Sequence, residues 1–320
     1  MRLSSLRRPS LATPAVLITL ALGCGGDSNG PNPPPAQGKT IYAVDLSNTF
    51  ELFHSGSPET VNRQVAITGL LVGDRIVGID FRPADGKLYG VGTDSRVYVV
   101  DTVTAVASPV GPSFTPALDG DHFGLAIDPT TDEIRIQSAE SGQNLRLNPA
   151  TGAVVATDAV LAYATGDPNA AETPHIAATA VTTTPGAATT YGIDWFLDEL
   201  VIMPTATDGQ VTTIGSTGVS TLACAALDMG GDGVLYASMT IAPNITNELY
   251  TMNLSTGAAT SLGAIDVVSS IQSIAIAPDA AASTAVAPEA IAMEASRRAS
   301  NIARMGMRSA ATGGSMKTCR

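Results

Sequence analysis

The feature that most constrains this chain is a repeat. Gly78-Ile79-Asp80-Phe81-Arg82-Pro83 is followed, six residues after its proline, by Tyr89, and Gly124-Leu125-Ala126-Ile127-Asp128-Pro129 is followed at the same interval by Arg135. Pro185 precedes Tyr191, and Gly230 precedes Tyr236, by the same six residues. A last copy, Ser273-Ile274-Ala275-Ile276-Ala277-Pro278, ends in the proline but has no second strand after it. The anchor positions 83, 129, 185, 230 and 278 recur about every 49 residues, an interval in the range of propeller blades. A unit of this size is one sheet that cannot cover its own faces, so copies must stack on one another.

Within each unit the pattern predicts four short strands. Ile76–Phe81 reads as the first, Lys87–Val91 as the second, Arg96–Val100 as the third and Val106–Val110 as the fourth. Apolar residues alternate in them and Asp-Gly or Pro-Gly clusters bound them. The turn before the fourth strand recurs as Asn148-Pro149-Ala150-Thr151-Gly152 and Asn253-Leu254-Ser255-Thr256-Gly257, where Asn opens the turn and Gly closes it. Glycine also ends the fourth strand at Gly69, Gly111, Gly215 and Gly263. The body begins with a second strand (Lys39–Asp45), a third (Phe50–Phe53) and a fourth (Gln64–Thr68); the first strand of that unit is the orphan Gln272–Pro278. Joining the two removes the open seam of a ring. The expectation is an all-β, five-bladed β-propeller over residues 39–278, closed by pairing of the N- and C-terminal strands. Six blades, or an open two-sheet arrangement, are the alternatives.

The flanks carry an address. Arg2, Arg7 and Arg8 precede an apolar run, Leu11–Leu22, that is too short for a membrane span of ~20 residues and has the make-up of a secretory signal over residues 1–23. Ala21-Leu22-Gly23-Cys24 resembles a bacterial lipobox, which makes Cys24 the lipidated first residue of the mature chain; an ordinary cleaved signal is the alternative. Residues 24–38 are rich in Gly, Pro, Asn and Ser, a flexible tether. The tail, 279–320, is rich in Ala and Arg, disordered or partly helical, with a candidate helix from about Pro288 to Met307. The signal and the tail each carry +3, so the net −12 of the chain leaves −18 on residues 24–278. Such a body repels nucleic acid, which demands clustered Lys and Arg, and suits a solvated surface or cationic partners.

The runs Ile67–Tyr89 and Ser141-Gly142-Gln143-Asn144-Leu145-Arg146-Leu147-Asn148-Pro149 resemble a secreted bacterial family, the domain of unknown function numbered forty-three ninety-four. The resemblance covers most of residues 39–278 and implies a propeller-like fold without an assigned activity. The chain departs from that pattern at Glu133, where Arg is usual, and at Thr179–Thr183, where Tyr and Asn are.

Residues with chemical capacity are few. Arg135 replaces the tyrosine of the repeat, and Arg146 sits on the next strand beside Asn144 and Gln143. Guanidinium and amide groups so placed can grip a carboxylate or phosphate; the competing reading pairs Arg135 with Asp128, Asp132 or Glu133 to fix the blade. Asp119 and Asp121 are weak calcium candidates, because no complete loop of alternating carboxylates surrounds them. His54, His122 and His175 fall in three separate segments, and no linear catalytic motif occurs. Trp195 reads as a packing residue near a turn. Cys224 reads as a small buried apolar residue, with a bond to Cys319 left open. The leading expectation is an envelope lipoprotein, at the outer membrane or cell surface, that serves as a binding or scaffold propeller. Its partners would be the membrane, through the lipid, and an envelope protein or small ligand. The alternative is an extracytoplasmic hydrolase or lyase with its site at one mouth of the ring.

Overall fold

The computed structural model describes residues 38–182, 188–203, 208–243 and 245–279. The signal, Cys24, the tether before residue 38, Pro185, the candidate tail helix and Cys319 lie outside the described residues. Five antiparallel sheets form the ring. The first holds β1 (Thr40–Asp45), β2 (Thr49–His54) and β3 (Arg63–Ala66), and the second holds β4 (Ile76–Phe81), β5 (Leu88–Gly92), β6 (Arg96–Val100) and β7 (Ala107–Pro109). The third holds β8 (Phe123–Asp128), β9 (Glu133–Ser138), β10 (Asn144–Leu147) and β11 (Val154–Thr157). In the fourth, β12 (Ala162–Tyr163) runs parallel to the outer strand of the set β13 (Ile176–Val181), β14 (Thr190–Asp194), β15 (Glu199–Met203) and β16 (Gln210–Ser216). The fifth is β17 (Thr221–Met229), β18 (Leu235–Ile241), β19 (Thr246–Met252) and β20 (Ala259–Ile265). The last strand, β21 (Ile271–Ile276), returns to the first sheet and pairs with β1, Ile274 opposite Ala43 and Ile276 opposite Ile41. The fold is thus the five-bladed, end-to-end closed β-propeller that the repeat predicts, and no described residue is helical. The short β12 is an addition. Tyr163 has no strand in the sequence pattern, yet it lies in β12 and donates its hydroxyl to the buried Asp194 at 2.8 Å.

Burial marks the position of a strand within its blade. The innermost strands β8, β13 and β21 are buried at every residue, which is why they are written almost without charge. Apolar side chains interlock between neighbouring sheets: Val77, Tyr89 and Val91 meet Leu125, Ile134 and Ile136 across one interface, and Val44 and Phe50 meet Ile79 and Leu88 across another. At Gly124 the inner strands β8 and β13 come so close that no side chain fits. A Cβ on Gly124 would lie 2.6 Å from Thr179 Cγ2 and 3.0 Å from the Ala178 carbonyl carbon.

The recurrent turns are as the sequence implies. The Asn148 side chain accepts from the backbone N–H of Ala150 and Thr151, and Asn253 accepts from Ser255 and Thr256. Two of the glycines near the ends of fourth strands, Gly111 and Gly215, mark where a blade meets the next one's turn. A Cβ on Gly111 would lie 2.4 Å from the Thr151 carbonyl oxygen, and one on Gly215 would lie 2.5 Å from that of Thr256.

Two outcomes follow from this packing. Gly124→Val drives two methyl groups into the β8–β13 contact and should cost about 1–3 kcal/mol in urea unfolding, while Val268→Ala at an exposed position should change stability by less than about 0.5 kcal/mol. Glu51 on β2 is fully buried; its Oε1 accepts from Gln64 Nε2 at 3.0 Å, and its Oε2 has no partner among the described residues. Burial pushes this carboxyl up to about 7, with the nearby Asp45 adding to the effect against the Gln64 bond. The folded chain then holds a proton that the unfolded chain releases near its ordinary value of 4.5, so stability falls as pH rises from there to about 7. Glu51→Gln should remove that part of the fall and exceed the parent at pH 8 by on the order of 1–3 kcal/mol, read from paired urea titrations.

Candidate functional site

The ends of all five inner strands frame one mouth of the ring. Asp80 on β4, Ile127 on β8, Val181 on β13, Asp228 on β17 and Ile276 on β21 line a cleft of about 250 Å³ whose walls are otherwise mostly apolar. The repeat explains how they converge. Asp80 lies opposite Tyr89, Asp228 opposite Tyr236, Ala126 opposite Arg135, Ala180 opposite Tyr191 and Ala275 opposite Tyr42. One structural position on the inner strand is therefore Asp in two blades and Ala in three.

Each aspartate reaches across to the next inner strand. Asp80 Oδ2 accepts from the Ile127 N–H at 2.6 Å, and Asp228 Oδ2 accepts from the Ile276 N–H at 2.6 Å; Asp228 Oδ1 also accepts from the Met229 N–H at 2.7 Å. Enclosure by protein pushes both carboxyls above the ordinary carboxylate range, and for Asp80 the charge of Asp228 adds to the effect. At the rim, Asp279 binds Lys39 at 2.5 Å, and Lys39 also faces Asp232 at 3.5 Å.

The residues that the sequence singles out fall on the third blade. Arg135 and Arg146 stand directly opposite one another on β9 and β10. Arg135 binds Asp128 at 2.5 Å, a partner the sequence names for it. Arg146 spans Asp158 with two bonds, 2.7 and 3.0 Å, and Glu133 at 3.0 Å, so both guanidinium groups are held by carboxylates of their own blade. Asn144 accepts from Gln137 Nε2 at 3.2 Å, and Gln143 donates to the Ala117 carbonyl at 2.8 Å. Arg135 and Asn144 border a second, small cavity, but Gln143 and Arg146 do not line it, so the four are not gathered around one space. Asp119 and Asp121 are exposed in the loop before β8, and their backbone N–H groups bond to Gln143 and Glu140. Among the described residues no group of three or more His, Cys, Asp or Glu side chains is placed to hold a metal ion.

The sequence keeps His122, Glu140 and Cys224 far apart, and the fold joins them. His122 precedes β8, and its Nδ1 lies 2.7 Å from Glu140 Oε1. Glu140 Oε2 accepts from the backbone N–H of Asp121 and His122. Cys224 is buried in a bulge of β17, where register is lost between Thr221 and Ala225. The neighbouring Cys224 sulfur, followed by the Glu140 carboxylate, pushes the His122 imidazole up to about 9 against the effect of its burial. Trp195 packs in the β14–β15 turn, its ring edge-on to His175 at 6.2 Å.

Comparison with solved structures finds distant likenesses. Hydrazine synthase from Kuenenia stuttgartiensis shares 14% identity over 59% of this chain and 49% of its own, with a TM-score of 0.39. The chain thus spans about half the length of that relative. A chain of a nidogen/laminin complex shares 13% identity over 75% of this chain and 98% of its own, at 0.47. A catalytically inactive virginiamycin B lyase from Staphylococcus aureus, solved with quinupristin, shares 11% over 71% of each chain, at 0.40. At this distance none of them bears on what the chain does. No curated protein matches it. The sequence does match one family over residues 49–275, and the chain belongs to it: the domain of unknown function DUF4394.

Proposed function

We propose that this chain is an exported, lipid-anchored binding propeller of the bacterial envelope. Cys24 carries the acyl chains, residues 25–37 form the tether, and the mouth framed by Asp80 and Asp228 seats a small ligand. The observation that carries the binding reading is the convergence of all five inner strands on one cleft with apolar walls and two enclosed carboxylates. A concave, largely apolar space with a few converging polar groups of shifted acidity is where ligands bind. The anchor rests on the signal-like first 23 residues and on the lipobox resemblance at Cys24. One acyl chain holds a protein to a bilayer only marginally, so stable attachment calls for several chains on that cysteine.

A second reading, an enzyme, has one observation in its favour. Cys224, His122 and Glu140 give the sulfur nucleophile, the imidazole and the orienting carboxylate that thiol-dependent hydrolases need.

Three measurements separate these readings. Cells fed labelled palmitate should yield a labelled full-length chain in the membrane fraction, and Cys24→Ala should lose both label and membrane; an unlabelled parent chain overturns the anchor. Native mass spectrometry of the full chain taken gently from membranes should show a small-molecule adduct that Val181→Trp, which fills the cleft, removes. A parent spectrum without adduct counts against the binding reading. For the enzyme reading, peptide mapping of iodoacetamide-treated chain should show Cys224 alkylated about tenfold faster than in His122→Asn; equal rates dispose of it.

A further inference from the structure

The reading of the mouth as a ligand site leaves open what kind of ligand it takes, and the side chains there restrict the choice. We infer that the mouth is a seat for a small organic cation, an ammonium group on an apolar body, with Asp80 and Asp228 as its counter-ions.

The argument starts from charge. Three carboxylates line one cleft, Asp80 and Asp228 within it and Asp279 at its rim, and neither Lys nor Arg is among the residues that line it. The cation at the rim, Lys39, is engaged by Asp279 and Asp232. Arg82, next in sequence to the cleft residue Phe81, is turned away, bound to Asp132 at 2.5 Å and Asp85 at 3.2 Å. Asp80 and Asp228 therefore have no cationic partner from the chain itself, in surroundings where an unpaired charge is costly.

Geometry comes next. Each carboxylate is fixed by a 2.6 Å bond from a backbone N–H of the following blade, so it is already ordered before a ligand arrives. A carboxylate offers about four lone-pair sites, and the bonds named above leave some of them free on each aspartate. An ammonium group brings three donors and a positive charge, which matches what remains.

The walls decide between kinds of cation. Calcium takes six to eight oxygens and magnesium demands a near-ideal octahedron, whereas Val181, Met229, Ile276 and Pro129 supply carbon. An organic cation uses both features at once. The volume, about 250 Å³, lies just below the ~300–1,000 Å³ range of drug-sized pockets, so the body is no larger than a ring or a short chain.

The full-length chain, titrated calorimetrically at pH 7.5 with benzylamine, benzyl alcohol and benzoate, tests this with one apolar body and three charges. Benzylamine should bind at least about tenfold tighter than benzyl alcohol, which corresponds to about 1.4 kcal/mol, and benzoate should not bind. Asp80→Asn and Asp228→Asn should each weaken the amine about tenfold and leave the alcohol unchanged. Purely structural aspartates would instead lower the melting temperature without separating the two ligands. Benzyltrimethylammonium, whose charge is permanent, should bind more tightly as the pH rises from 5.5 to 8, across the value of about 7 to which burial pushes Asp228. The other charged groups at the rim are Asp279, Asp232 and Lys39, joined to one another. Equal binding of amine and alcohol overturns the cation and leaves the ligand site standing. No binding of any probe, with a native adduct that Val181→Trp removes, also overturns the cation alone. No binding and no adduct overturn both.

Discussion

Everything in this fold depends on one pairing, β21 with β1. An open array of blades would leave the inner faces of its first and last sheets uncovered and a row of backbone donors and acceptors exposed at the seam. Covering both costs the chain only a return of its C-terminal strand to its N-terminal sheet. Ile274 opposite Ala43 is the bond-by-bond form of that closure. It also places Ile41 and Phe53 of the first blade in one cluster with Leu249 and Ile265 of the last. The same return carries Pro278 and Asp279 to the rim of the mouth. A single topological choice thus shapes both the core and the site.

Closure creates a second constraint at the centre. The inner edge of each innermost strand has no neighbour to pair with, and its N–H groups must find other partners. Asp80 serves Ile127, Asp228 serves Ile276, and the Ser273 hydroxyl serves Ile79, each reaching from one blade to the next. The carboxylates at the mouth are therefore part of what holds the ring together. That role explains their position and their rigidity, but not why two charged groups are used where Ser273 shows that a neutral one suffices. The extra charge is what a cationic ligand would use.

Much of this was legible in the residues. The six-residue step from Pro83, Pro129, Pro185 and Gly230 to Tyr89, Arg135, Tyr191 and Tyr236 tracks a real position on the second strand of four blades, and the orphan Gln272–Pro278 does find its sheet. Asn148 and Asn253 reveal their turns because the turn chemistry is local. The sites were less readable for a physical reason: their parts come from different blades. Asp80 and Asp228 are ordinary members of apolar strands until register sets both at one mouth. His122 and Glu140 meet Cys224 from another blade, where it sits in an irregular stretch of β17 beside the loop before β8. The sequence drew attention instead to Arg135 and Arg146, which are conspicuous in an acidic body but are tied to Asp128, Asp158 and Glu133.

The two chemically suggestive groups lie toward opposite ends of the inner strands. Asp80 and Asp228 stand near the C-terminal ends of β4 and β17, whereas His122 precedes β8 and Cys224 lies in the first half of β17. They also differ in what holds them. The aspartates are fixed by backbone donors and face a formed cleft. Glu140 is exposed, and the His122–Glu140 pair gains only what a solvent-screened contact allows. A rigid, enclosed and charged cavity is suited to holding a ligand; an exposed carboxylate steering an imidazole beside a buried sulfur needs a route to that sulfur before it can act. Binding at the aspartate mouth therefore asks less of the structure than catalysis at the other end.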